Sequence, residues 1–112
     1  MKMVEAVIRP FKLGEVRSAL TQMGVTTMTV SEVFGTGPCS ARHDAYRGLG
    51  YTRLVPGLKV EVAVPDGLCD PVVRLITLAA RTGQRGAGMI FVSTLDAATR
   101  VRTGEGGEAT TL

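Results

Sequence analysis

GTGPCSARHDAYRGLGYTRLVPG, residues 35–57, decides the fold by what it separates. It has no sustained helical or strand period, and it holds five glycines, two prolines, three arginines and His43, the only histidine of the chain. On either side, Met28 to Phe34 and Leu58 to Val64 alternate apolar and polar residues as half-buried strands do. Two strands therefore follow one another directly, joined by far more chain than a hairpin turn needs. Compact domains seldom spend roughly twenty residues on one connection unless the loop binds, closes over or docks onto something. A rigid scaffold can present such a loop without depending on it. The stretch reads as a docking loop.

Working outward, Met3 to Arg9 forms a strand with Val4, Ala6 and Ile8 on one face, and Pro10 ends its ladder. Lys12 to Met23 reads as a helix, since Leu13, Val16, Leu20 and Met23 recur at three- and four-residue spacing. Gly24 stands where a helix C-terminus favours glycine. Thr26 to Phe34 is the second strand, with Met28, Val30 and Glu32 on one face and Thr29, Ser31 and Val33 on the other. Lys59 to Val64 is the third. Pro65-Asp66-Gly67 reads as a turn with Asp66 as N-cap, leading to a second helix over Cys69 to Arg81. The core stripe of that helix is Val72, Leu75, Ile76 and Ala79. Met89 to Leu95 is the fourth strand, and the polar, glycine-rich tail from about Gly104 is expected to be mobile.

The order β-α-β-β-α-β predicts an α+β, ferredoxin-like domain: four antiparallel strands with both helices on one face. The other face keeps hydrophobic residues, so subunits are expected to pack sheet against sheet.

The bulk properties narrow the function classes. A chain of 112 residues with 45% hydrophobic content is one globular domain, residues 1–112. No apolar run approaches a membrane span and no signal-peptide core opens the chain, so a soluble, cytoplasmic protein is expected. Cys39 and Cys69 are too few and too far apart for a disulfide framework or a zinc site. The net charge of +3 is spread along the chain, and no nucleic-acid partner is expected.

Three segments can carry chemistry. In Thr82 to Phe91, glycines 83, 86 and 88 uncover backbone N–H groups and permit an anion-binding nest, with Arg81 or Arg85 to help. Without a following GK[ST] it is not a P-loop, and the plain alternative is a helix cap with a roomy loop. Arg100 and Arg102, two apart in an extended segment, point to one side and suit a polyphosphate; the alternative is a solvated tail. Tyr46 and Tyr51, the only tyrosines, are either recognition handles or packing for the loop. Cys39, His43 and Asp44 make only a weak metal set, and metal is not expected. No acid–base pair with supporting residues is evident, so an enzyme is not expected.

These motifs together resemble the PII signal-transduction family, the nitrogen regulatory protein P-II group. The similarity runs through EAVIRPFKLGEVRSAL (5–20), GVTTMTVSEVFGTG (24–37), YRGLGY (46–51), TGQRGAGMIFV (82–92) and RVRTGE (100–105). The resemblance implies a homotrimer that binds ATP or ADP, or AMP, in clefts between subunits. It names residues 36–57 the T-loop, which docks onto a transporter or a nitrogen-metabolism enzyme, and residues 82–88 the B-loop, with residues 96–112 as a C-terminal segment. By position, Thr29, Gly35 and Gly37 would line the cleft and Ala63 would meet the adenine through its backbone. Gly86, Ala87 and Gly88 would offer N–H groups to phosphate, Arg100 and Arg102 would hold phosphate oxygens, and Tyr51 would be the modification site. The chain also departs from the family. The glutamine that coordinates magnesium falls at Cys39, the arginine before it at Pro38, and the lysine that pairs with 2-oxoglutarate at Gly57. The B-loop aspartate is Ala87, and the basic residue after its last glycine is Met89. Magnesium and 2-oxoglutarate are accordingly left open. The other reading is a transporter regulator that senses bicarbonate or a metal, with Cys39 and His43 as its residues.

Overall fold

The computed structural model describes residues 1–36, 54–83 and 88–107. The first strand, β1 (Lys2–Ile8), ends at a short 3-10 turn (Pro10–Lys12) that leads into helix α1 (Leu13–Gln22). Strand β2 (Thr29–Gly35) and strand β3 (Val55–Val64) flank the long loop, and helix α2 (Asp66–Ala80) and strand β4 (Gly88–Thr94) complete the order. The four strands form one sheet in the order β2-β3-β1-β4, antiparallel at every junction. The expected ferredoxin-like architecture is the one observed.

The core follows from strand alternation. Val4, Ala6 and Ile8 of β1 and Val60, Val62 and Val64 of β3 are buried together with Val16 and Leu20 of α1 and Cys69, Val72, Ile76 and Ala80 of α2. Both helices thus cover one sheet face. Helix α1 closes with a Schellman motif. The N–H of Gly24 reaches the Thr21 carbonyl at 3.0 Å and the N–H of Val25 reaches the Leu20 carbonyl at 3.0 Å. Gly24 supplies the required positive φ of 84°, and the partners Leu20 and Val25 are both buried.

Element ends shift by one to four residues from the sequence reading, as at β2, which begins at Thr29 instead of Thr26, and larger differences follow. Helix α2 begins at Asp66 instead of Cys69, even though Pro71 lies inside it. Burial of Cys69, Val72, Ile76 and Ala80 along one stripe outweighs the local penalty of that proline. The stripe is also turned relative to expectation: Ala80 is buried where Ala79 is only partly so, and Leu75 is not in the core. Asp66 is not an N-cap. Pro65 holds that position without a side-chain bond, and the Asp66 carboxylate instead accepts from the Met1 ammonium at 2.8 Å. Strand β3 starts at Val55, so residues 55–57 belong to the sheet and pair with Gly35, Phe34 and Val33. Finally, the C-terminal segment folds back on itself through Gly107: Thr99 bridges Gly106, and the Arg100 N–H bonds the Glu105 carbonyl at 2.8 Å. Residues 104–107 therefore have partners where sequence composition suggested none.

The second sheet face carries no helix. The registers place Met3, Glu5 and Val7 of β1, Lys59, Glu61 and Ala63 of β3, and Met89 and Phe91 of β4 on it. Met89 is 61% exposed and Phe91 56% exposed. None of the described helices is long and apolar enough to cross a membrane.

Candidate nucleotide-binding site

Gly88 opens β4 directly opposite Ile8. Its φ is 125°, and a Cβ placed on it would run into the carbonyl oxygen of Val7. Only glycine fits, because the strand must leave the loop at 84–87 with the backbone pressed against β1. Beside it a cavity of about 310 Å³ opens between the C-terminal half of α2 and the ends of β1 and β4. Its walls include Ile8, Ile76, Ala80 and Ile90, with Arg81 supplying the only charge among the described residues. The structure thus brings Arg81, Gly88 and Met89 to one place, as the glycine-rich segment suggested. The apolar wall was not singled out in the sequence as part of a site, since strand and helix alternation marks such residues only as core.

Arg100 and Arg102 are not arranged as expected. Val101 to Thr103 form a turn, not an extended run, so strand alternation does not align the two side chains. Within the turn, the N–H of Gly104 bonds the Arg100 carbonyl at 2.8 Å. The Arg100 Nε is buried without a hydrogen-bond partner, while Arg102 is exposed. A buried guanidinium N–H left unpaired carries a desolvation penalty of about 1–3 kcal/mol or more, which an anionic oxygen would relieve.

Thr29 lies opposite Glu61 on β2, and Ala63 lies opposite Met3 on β3. Both are on the helix-free face. Gly35 sits at the far end of β2, paired with Val55. Ala63 and Gly88 are therefore separated by the intervening β1 and by five residues of register, since Gly88 shares the row of Leu58, roughly 17 Å along the sheet. The Thr94 end of β4, from which the chain runs on to Arg100, is six residues or roughly 20 Å from Gly88 along that strand. Within one chain Ala63 and Gly88 therefore do not converge.

Gly57 is part of β3. A Cβ there would lie 3.3 Å from the Ile8 carbonyl oxygen and 3.5 Å from Val7 Cγ1. No cation stands at that position. Gly37, Cys39, His43, Asp44, Tyr46, Tyr51, Arg85, Gly86 and Ala87 lie outside the described residues. Among the described residues no group of His, Cys, Asp and Glu is placed to hold a metal.

The profile of the family "Nitrogen regulatory protein P-II" matches residues 1–105. The chain belongs to the P-II family. It is 50% identical over 106 residues to a nitrogen regulatory protein P-II of Synechocystis, covering 94% of this chain and 95% of that one. It is 49% identical to one from Rhizobium etli over the same shares, and 44% identical over 110 residues to P-II 1 of Escherichia coli, covering 97% and 98%. This P-II chain has the ferredoxin-like βαββαβ order, with a four-stranded antiparallel sheet.

Proposed function

We propose that this P-II chain is a trimeric signalling protein, not an enzyme, that binds an adenine nucleotide between subunits and regulates a target through its long loop. The observation that carries this reading is the pair of phosphate-suited features at Gly88, which opens β4, and at Arg100, six residues beyond its end at Thr94. Each suits a phosphate, Gly88 through a close-approaching backbone and Arg100 through an unpartnered buried donor. Ala63 and Gly88 of one chain stand roughly 17 Å apart along the sheet, so a nucleotide that meets both would draw on two chains.

In this reading Gly86, Ala87 and Gly88 of one subunit offer N–H groups to phosphate, and Arg100 and Arg102 come from the adjoining subunit. Thr29, Gly35, Gly37 and the backbone of Ala63 line the base side. The nucleotide biases the loop between states of which one fits the target, an order–disorder switch. The ligand's differential affinity for those states sets the size of the shift. Tyr51 is the residue open to modification.

The cation that the family sets against 2-oxoglutarate does not fit this chain. Gly57 has no side chain, and its Cβ direction is occupied by β1. With Cys39 and Met89 also replacing family residues, nucleotide binding independent of magnesium and 2-oxoglutarate is the expected behaviour. The same observation favours a second reading, a transporter regulator answering to bicarbonate or to a soft metal held by Cys39 and His43.

Isothermal titration of the purified protein with ATP, ADP and AMP, each with and without magnesium and 2-oxoglutarate, tests both. Heat with a nucleotide alone supports the first reading, and absence of heat with every nucleotide rejects it. Soft-metal binding abolished by Cys39→Ala supports the second.

A further inference from the structure

We infer that the cavity beneath the C-terminal half of α2 binds a small aliphatic monocarboxylate, its chain inside and its carboxylate beside Arg81. The cavity holds about 310 Å³, at the small end of the range of ligand pockets, and no step of the nucleotide reading uses it. It lies on the other side of the sheet from the positions which that reading gives to the base. Thr29 and Ala63 stand on the helix-free face, whereas Ile90 of the cavity wall pairs with the buried Ala6 on the helix-bearing face. The cavity sits at the rim of the domain, because β4 is an edge strand of the sheet.

The walls call for an apolar body. Ile8, Val73, Ile76, Ala80 and Ile90 line the cavity, and its polar groups are largely spent. Thr77 Oγ1 donates to the Val73 carbonyl at 2.8 Å, and the Arg81 N–H donates to the Thr77 carbonyl at 3.1 Å. Roughly ten waters of about 30 Å³ would fill the space, and most would lack the two to four partners that hold an internal water. Displacing such water with a hydrocarbon chain is favourable. The residues between Gly83 and Gly88 in sequence are Gln84, Arg85, Gly86 and Ala87, none of which carries a large apolar side chain to fill it. Charge decides the head group. Arg81 is exposed and supplies the only charge lining the cavity among the described residues. It makes no ion pair with a described residue. A guanidinium at the mouth of an apolar cavity complements a carboxylate joined to a hydrocarbon chain and repels an ammonium of the same length.

The test follows the methyl signals of Ile76 and Ile90 by NMR while the purified protein is titrated with acetate, butyrate, hexanoate and octanoate. Hexan-1-ol and hexylammonium serve as controls. Saturable shifts are expected, with affinity rising about fourfold per methylene until the cavity is full and levelling off beyond that. Arg81→Gln should weaken hexanoate by about two- to fivefold, the range of an exposed ion pair, and leave hexan-1-ol unchanged. Ala80→Leu, which fills the cavity, should abolish the gain with chain length. Hexylammonium that binds as tightly as hexanoate, or an Arg81→Gln protein that tracks wild type, would overturn the assignment of a carboxylate. Absence of saturable shifts with every probe would overturn the site itself, a second copy covering it included. Circular dichroism shows whether Ala80→Leu is folded, and Arg81→Gln, which alters an exposed side chain, carries the test if it is not. Titration of the same sample with ADP keeps the two readings apart: a protein that binds ADP and ignores hexanoate refutes this inference and leaves the nucleotide reading standing.

Discussion

Single residues set the sharpest limits on this molecule. At Gly88, φ of 125° and the Val7 carbonyl together forbid a Cβ. Backbone strain of this kind costs about 1–3 kcal/mol, and the clash adds to it by forcing β1 and β4 apart. Gly88→Ala should therefore lose more than about 3 kcal/mol in urea unfolding, whereas Gly24→Ala, with φ of 84° and open space around it, should lose about 1–2 kcal/mol. Arg100 is the residue on which nucleotide binding should depend most. Its truncation removes a charge-assisted contact of about 1.5–3 kcal/mol, so Arg100→Ala should weaken ADP by roughly ten- to a hundred-and-fifty-fold in titration calorimetry. Asp66 governs a pH effect. Its carboxyl lies below the ordinary 3.8 because it accepts a hydrogen bond from the Met1 ammonium, whose charge adds to the effect along with that of Lys2, against opposing desolvation. The folded state thus binds this proton more weakly than the unfolded chain does. The contribution is present above the ordinary value and fades as pH falls through the lowered one. Chemical unfolding of wild type and Asp66→Asn should differ near neutrality and converge in acid; a constant gap would show that the carboxylate charge is not the cause.

At the scale of elements, burial decided what local preference left ambiguous. Helix α2 carries Pro65, Gly67 and Pro71 near its start, a pattern that argues for a late beginning, yet it begins at Asp66. Four residues on one stripe, Cys69, Val72, Ile76 and Ala80, are buried against the sheet and hold the whole segment helical. Ile76 is 1% exposed and Leu78 is 60% exposed on the same helix. Ile76→Ala should cost about 2–5 kcal/mol in urea unfolding by leaving a cavity, and Leu78→Ala should stay within about 0.5 kcal/mol of wild type. Strand β3 shows the same logic. Pro56 and Gly57 look like loop residues, but their partners Phe34 and Val33 continue the ladder, so the loop springs from a sheet end. Gly24 is the opposite case. Its place after an amphipathic stripe sufficed to locate the end of α1, because the Schellman bonds involve only residues three and five apart.

For the whole molecule, the alternation and the order of elements determined a ferredoxin-like sheet before any coordinates, because Val4, Ala6 and Ile8 can face only one way once Leu20 and Ile76 must be hidden. The segments 82–92 and 100–105 were legible as candidates for phosphate chemistry from their glycines and arginines. Three things were decided by tertiary structure alone. One is that Arg100 and Arg102 lie at a turn, a shape set by the Thr99–Gly106 bridge across the segment. The next is that Ala63 and Gly88 stand apart, on β3 and β4 with β1 between them and five residues of register separating them. The last is that Glu5 and Glu61, fifty-six residues apart in sequence, are direct partners across β1 and β3. Periodicity reports which face a residue takes, but strand register is a long-range property, and register is what brings distant charges together.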